Sequence, residues 1–239
     1  EERGSYKVYP KCSFLSDFVI ADCLRFGRIN KEVYLDDYRY AALKNLTRAR
    51  FFAVQNLTRE KQRFMNQLFK KYSTMTQEKV FSDTFSTTAL AVYESFELAE
   101  TLANMDLHQL TEFIMEKGKN RFPDPDSVAK AIQKAARSSY RLPKTVNDSV
   151  NQVLSISISS MRAMESQIKA FDKAIAEQMA LIPNTLTSVN GIGPVYSAGI
   201  IAEIGDINRF PNQASLAKYA GLVWSQHQSG DFEAQNTRL

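Results

Sequence analysis

Apolar residues recur along this chain at helical spacing, and no run alternates strongly enough to read as a set of strands. Over residues 12–27, Phe14, Leu15, Phe18, Val19, Cys23, Leu24 and Phe26 fall three or four apart before Gly27, which predicts a short helix. Between 36 and 72 a longer one is predicted. Its apolar positions Leu43, Leu46, Val54, Leu57, Phe64 and Leu68 lie at steps of three, four or seven and their sums, a coiled-coil-like pattern. Asp36 and Asp37 stand at its start and Lys70 and Lys71 at its end, each sign favoured by the helix dipole there. Shorter helices follow over 76–140, one ending at a Gly118 cap and one opening after the Pro-rich turn at Pro123 and Pro125. A second long helix is expected at 146–180, with Val150, Val153, Ser157, Met164, Ile168, Phe171 and Ile175 as its seam. The two long helices can pair as an antiparallel hairpin or with those of another copy, and periodicity alone leaves both open. The expected class is mainly α.

Residues 181–205, LIPNTLTSVNGIGPVYSAGIIAEIG, hold a different signal. Gly191-Ile192-Gly193-Pro194 sits between apolar residues at helical spacing: Leu186 and Val189 before it, then Tyr196, Ile200, Ile201 and Ile204. Two glycines let the backbone turn with no Cβ in the way. Ile192 can fold inward to tie two short helices together, and Pro194 suits a first helical turn, where its missing N–H costs nothing. Such a helix–hairpin–helix, at about 185–204, exposes backbone amides at a positive helix end and grips phosphates without reading bases. A dinucleotide fingerprint is excluded, since no third glycine follows and no strand precedes. A plain helix–helix corner with a glycine turn remains the alternative.

Charge sharpens this picture. The net charge is only +4, yet residues 39–71 carry nine cations against the single acid Glu60, a local charge of +8. Arg48, Arg50, Arg59, Lys61 and Arg63 lie in this stretch, so one helix concentrates the positive field a polyanion needs. Two cysteines, Cys12 and Cys23, and two histidines, His108 and His227, are too few and too scattered for a zinc site. They read as reduced thiols of a cytosolic protein. No stretch approaches the roughly 20 apolar residues of a membrane span, and EERGSYKVYPK at the start has no apolar leader.

GIGPVYSAGIIAEIGDINRFPNQASLAKYAGL followed by VWSQHQSGDFEAQNTRL resembles the C-terminal domain of the insertion-sequence-110 family of transposases, also described as bridge-RNA-guided recombinases. ALKNLTRARFFAVQNLTREKQRFMNQLF and DFVIADCLRFGRI resemble other parts of the same family. The resemblance covers 11–72 and 181–239 well, and 73–180 mainly in helical character. It implies three regions: the end of a RuvC-like domain over 1–35, a helical coiled-coil-like region over 36–180, and a helix–hairpin–helix transposase domain over 181–239.

The family joins four metal-binding acids to a nucleophilic serine. The resemblance places two of the acids upstream of residue 1 and the other two where this chain has Ser13 and Ser16, with Asp17 one residue out of register and Asp22 in the following helix. Serine hydroxyls are poor ligands for a hard dication. The resemblance therefore implies Mg2+ for a full-length family enzyme, while no metal ligands are assigned here. It matches Ser229, in Gln228-Ser229-Gly230, to the catalytic serine, with Ser225 as the fallback and His227 as a bystander. Attack by a serine on the backbone would leave a covalent serine–DNA link that conserves the bond for rejoining. Nucleic-acid contacts are expected at Gly191, Ile192, Gly193 and five cations of the basic stretch, Arg48, Arg50, Arg59, Lys61 and Arg63. The implied function is an insertion-sequence transposase that binds DNA and a structured guide RNA, works as a homo-oligomer in the bacterial cytoplasm, and is present here as a partial or inactive copy. The alternative is a non-catalytic helix–hairpin–helix DNA-binding or architectural protein.

Overall fold

A computed structural model describes residues 13–26, 37–78, 80–222, 228–229 and 232–233. The chain divides into two compact units, Glu1–Asp37 and Tyr38–Leu239. Of the first, α1 (Ser13–Arg25) is described; its Phe18, Val19 and Ile20, and Phe26 just after it, are exposed.

The second unit is organised on two long helices, α2 (Tyr38–Lys71) and α8 (Lys144–Met179). They lie side by side and antiparallel. Arg50 pairs with Asp172 and Ser157 Oγ donates to Glu60 at 2.6 Å, so position rises on one helix as it falls on the other; Lys61 Nζ lies 3.5 Å from Glu165 between them. Of the two pairings left open by periodicity, the intramolecular hairpin is formed. Both ends fall within two residues of expectation because side chains mark them: Pro143 precedes α8, and Lys70 and Lys71 close α2.

The seam of α8 departs from the predicted set. Val153 is 43% exposed, whereas Leu154, Ile158 and Met161 are buried beside Val150 and Ser157. In this half α8 meets α4 as well as α2, so its apolar face is wider and rotated relative to a single two-helix stripe.

Between the long helices run α3 (Ser73–Gln77), α4 (Thr87–Ser95), α5 (Ala99–Asn104), α6 (Leu107–Gly118) and α7 (Pro125–Ser138). Their starts follow local chemistry. Ser86 Oγ accepts from the Ala89 amide, Asp106 Oδ1 accepts from His108 and Gln109, and Asp124 Oδ1 accepts from Ser127 ahead of Pro125. Gly118 is the last helical residue of α6 rather than its cap. Lys119 takes the left-handed conformation there instead, at φ 52°. The glycine is needed for another reason: a Cβ at Gly118 would stand 2.4 Å from the Phe122 ring.

Two cores form along the α2–α8 pair. The larger gathers Phe64, Leu68 and Tyr72 of α2 with Val92, Tyr93, Leu102, Leu110, Ile114, Ile132, Leu154 and Ile158. Tyr93 is its hub, with ring centroids about 6 Å from those of Phe64, Tyr72 and Phe81. Two of the polar groups buried here reach backbone carbonyls. Lys71 Nζ donates to the Tyr93 carbonyl at 3.0 Å, and the Tyr72 hydroxyl donates to the Phe96 carbonyl at 2.9 Å. Burial lowers the Lys71 pKa to about 8 and raises the Tyr72 and Tyr93 phenols well above the usual range. The smaller core holds Leu43, Ile175, Ile182, Ala198 and Ala202, joining the start of α2 and the end of α8 to α9 (Pro194–Ile204). The chain continues through α10 (Gln213–Tyr219) to an antiparallel pair, β1 (Gln228–Ser229) and β2 (Phe232–Glu233). Mainly α is the fold class.

Candidate nucleic-acid interface

The Gly191–Pro194 turn connects a single 3-10 turn, Leu186–Ser188, to α9. Where the sequence predicts two short helices, only the second forms as an α-helix. Pro183 stands just ahead of this segment and lacks the N–H that an α-helical turn would use. The Ser188 hydroxyl donates to the Thr185 carbonyl at 2.7 Å, so the local polar groups close a tight turn instead. The rest of the hairpin is as the residue types require. Gly191 has φ 89°, open to glycine and costly for other residues, and a Cβ at either Gly191 or Gly193 would meet nothing within 4 Å. Ile192 is half-buried, with its amide donating to the Val189 carbonyl at 3.0 Å. Pro194 opens α9, and the first helical bond crossing the turn runs from the Ser197 amide to the Gly193 carbonyl at 2.9 Å. The Val195 and Tyr196 amides precede that bond, at the positive end of the helix dipole.

α9 lies against the first half of α2, which brings Arg48 and Arg50 beside it. There the cations meet acids from distant parts of the chain. Glu203 of α9 accepts two hydrogen bonds from Arg48, at 2.8 and 2.9 Å, and has Lys44 Nζ at 3.7 Å. The Arg48 hydrogen bond holds the Glu203 carboxyl below its usual range, and the same bond raises the Arg48 guanidinium. Arg50 is engaged by Asp172, and Lys61 by Glu165 with its ammonium 4.9 Å from the Phe85 ring centre. Arg63 reaches Glu60 at 3.4 Å while remaining largely exposed. Arg59 forms no ion pair among the described residues. The +8 stretch is therefore not a bare cationic face. Four of the five candidate cations have carboxylate neighbours, three of them more than 100 residues away in sequence, and charge counted along one helix could not register these.

What remains exposed is still directional. Asn56, Arg59, Arg63, Asn66 and Lys70 are all exposed at alternating steps of three and four, one stripe along α2. Its N-terminal extension is Phe52, which borders a groove of about 990 Å³ between α2 and α9. Phe51, Phe52 and Tyr196 line that groove and are 57%, 60% and 72% exposed. Neither charge nor glycine pattern marks this aromatic edge. Its signal was available, since Phe51 and Phe52 occupy two adjacent positions of one helix and both cannot face the same core.

Ser229 lies on β1, paired with Phe232, and not in an open loop; its side chain lies outside the described residues, as do Ser225 and His227. Cys23 is a free thiol, and Cys12 lies outside the described residues. Among the described residues no group of three or more His, Cys, Asp or Glu could hold a metal ion. Ser13 and Ser16, the positions at which the resemblance implies acids, stand on α1. No helix among the described residues is long and apolar enough to cross a membrane.

Comparison with known proteins bears on the same segment. No solved structure matches the chain. A family described as "Transposase IS116/IS110/IS902 family" matches residues 184–239, which contain the hairpin, α9, α10 and the strand pair. Among relatives, an "Insertion element IS116 uncharacterized 44.8 kDa protein" of Streptomyces clavuligerus is 26% identical over 238 residues, 95% of this chain and 56% of that protein. An "Insertion element IS110 uncharacterized 43.6 kDa protein" of Streptomyces coelicolor is 41% identical over 69 residues, 29% of this chain and 16% of that protein. The chain thus spans about half the length of the relative it matches nearly end to end. Residues 184–239 resemble the IS116/IS110/IS902 family of transposases, and the 26% identical relative extends the likeness along 95% of this chain.

Proposed function

We infer that the chain binds DNA through the Gly191–Gly193 hairpin and the exposed stripe of α2, as part of the strand-exchange machinery of an insertion sequence. The observation that carries this reading is the coincidence of the family match with an open glycine turn. Both glycines present clear backbone to solvent, and α9 starts there with amides ahead of its first crossing bond. A phosphate can approach such a turn closely, and the helix end favours its charge. Arg59, Arg63 and Lys70 would add contacts to the backbone, whether of DNA or of a structured guide RNA, since phosphates of the two are alike to an arginine.

Ser229 is the proposed nucleophile. Its hydroxyl oxygen would attack a DNA phosphorus, its proton would pass to a base or water, and the displaced deoxyribose oxygen would leave with the strand end. The chain's own described residues do not assemble a Mg2+ site, so no step is derived through a metal. The long helices bury their facing sides against each other, while Val146, Val153 and Ile156 of α8 stay exposed on a face a second copy could cover.

Binding of the chain to a short duplex should fall steeply with salt, with a log–log slope of about −0.9 for each phosphate neutralised. A flat salt dependence removes the nucleic-acid reading. For Ser229, the protein incubated with target DNA and guide RNA should yield a protein–DNA adduct that Ser229→Ala lacks; an adduct that persists in the variant moves the nucleophile elsewhere. A purely architectural protein would bind with the same slope and never form the adduct.

A further inference from the structure

Away from α2 and α9, an open pocket of about 530 Å³ lies between the start of α4 and the end of α6. One wall is Ser86, Thr87 and Thr88; the other carries Lys117, Lys119 and Arg121. No acid lines it. On the α4 side, the Ala89 amide is capped by Ser86 Oγ and the Leu90 amide bonds to the Ser86 carbonyl at 2.9 Å, while the Thr87 and Thr88 amides have no acceptor within the helix. Thr88 is the second, independent observation. It is only 4% exposed, yet its hydroxyl makes no hydrogen bond among the described residues. On a residue this buried, a hydroxyl that lines the pocket without a protein partner is available to a bound group. A Cβ on Gly118 would stand 3.3 Å from that hydroxyl, so the glycine is what lets the end of α6 close over it.

The cationic wall is similarly arranged. Lys117 pairs with its neighbour Glu116 at 2.8 Å, whereas Lys119 and Arg121 are exposed and form no ion pair among the described residues. Lys119 is held in the left-handed conformation at φ 52°, which turns the chain so that Lys117, Lys119 and Arg121 line one pocket.

We propose that this pocket binds a phosphate group, with the Thr87 and Thr88 amides and the Thr88 hydroxyl donating from one side and Lys119 and Arg121 from the other. A tetrahedral dianion accepts from both sides at once, and the pocket's volume leaves room for the group esterified to it. The site is independent of the hairpin, and it stands whether or not the hairpin binds DNA.

The test is a titration of the full chain with inorganic phosphate, read on backbone amide resonances against chloride at matched ionic strength. Thr87 and Thr88 amides should move with phosphate and not with chloride. Thr88→Val keeps the buried shape without the hydroxyl, and Lys119→Gly removes a charge while retaining the left-handed turn that glycine adopts freely. Each should weaken phosphate binding roughly tenfold, as expected for one lost hydrogen bond to a charged group. Equal shifts with chloride, or unchanged phosphate affinity in both variants with the thermal midpoint preserved, overturn the proposal. If a short DNA duplex displaces phosphate from these amides, the bound group is a nucleic-acid backbone phosphate; if duplex and phosphate bind together without competition, it is a free phosphate compound.

Discussion

The two ends of the α2–α8 pair are built to different standards. At one end Phe64, Leu68 and Tyr72 sink into a core closed by α3 to α7, with Tyr93 touched by three other rings. At the other, five residues, two of them alanines, hold α9 against the same two helices, and the surface beside them exposes Phe51, Phe52 and Tyr196. Large apolar side chains inside stabilise; the same chain types left outside mark surfaces available for contact. The difference teaches that one pair of helices serves as a foundation at one end and as a platform for the hairpin at the other.

The strongest way to break this comparison is to truncate one buried side chain at each end. Phe64→Ala should cost about 3–5 kcal/mol of stability through the lost transfer energy and the cavity left behind. Leu43→Ala, at the smaller core, should cost about 2–3 kcal/mol, nearer the low end for leucine because its surroundings can relax. Denaturant unfolding of both variants measures this. Equal losses would show the smaller core to be as tightly determined as the larger one.

The pH dependence of stability tests the larger core alone. Lys71 titrates at about 8 when folded and near 10.5 when unfolded. Below pH 8 both states hold the proton, so stability is flat. From there upward the unfolded chain binds more protons than the folded one, and stability should rise, by about 1.4 kcal/mol per pH unit at most. Tyr72 and Tyr93 reverse the trend above about pH 10, where the unfolded phenols ionise and the folded ones do not. Chemical denaturation across pH 7–11 should therefore show a maximum near 10, and Lys71→Met should erase the rise while keeping the fall.

At the platform end the expected effects are on binding. Glu203→Gln releases Arg48 and Lys44 from their shared carboxylate. Duplex affinity should increase, and the salt slope should steepen by about 0.9 for each phosphate gained. An unchanged slope would mean that these cations face away from bound nucleic acid. The smallest effect is expected from Phe52→Ala. It is exposed and should leave the thermal midpoint in place, while weakening whatever occupies the α2–α9 groove.

Local chemistry made the long helices legible in the sequence. Pro143, the cap Asp124 with Pro125, and the terminal Lys70 and Lys71 each act within one turn of their own position. The hairpin's glycines were legible for the same reason, since their geometry depends on their own lack of Cβ. Features set across the fold were not. The acids opposite Arg48, Arg50 and Lys61 are Glu203, Asp172 and Glu165, so the cationic stripe could be narrowed only once α2, α8 and α9 were side by side. Val153 fits a two-helix stripe by spacing, and α4 is the third helix that changes which face is buried. The first arm of the hairpin failed as an α-helix because Pro183 and the Ser188 hydroxyl favour a tight turn over the short distance available.

α2 is 34 residues without interruption, about 51 Å at 1.5 Å per residue, and it carries both cores on one rod. It therefore works as a ruler. A single residue inserted between Leu43 and Phe64 would swing everything beyond it by about 100° and advance it by about 1.5 Å, turning one core away from its partners however the loops adjusted. Length could change here only in blocks of about seven residues, and only if α8 gained the same block opposite. The spacing between the hairpin end and the core around Tyr93 is thus quantised by the helical repeat.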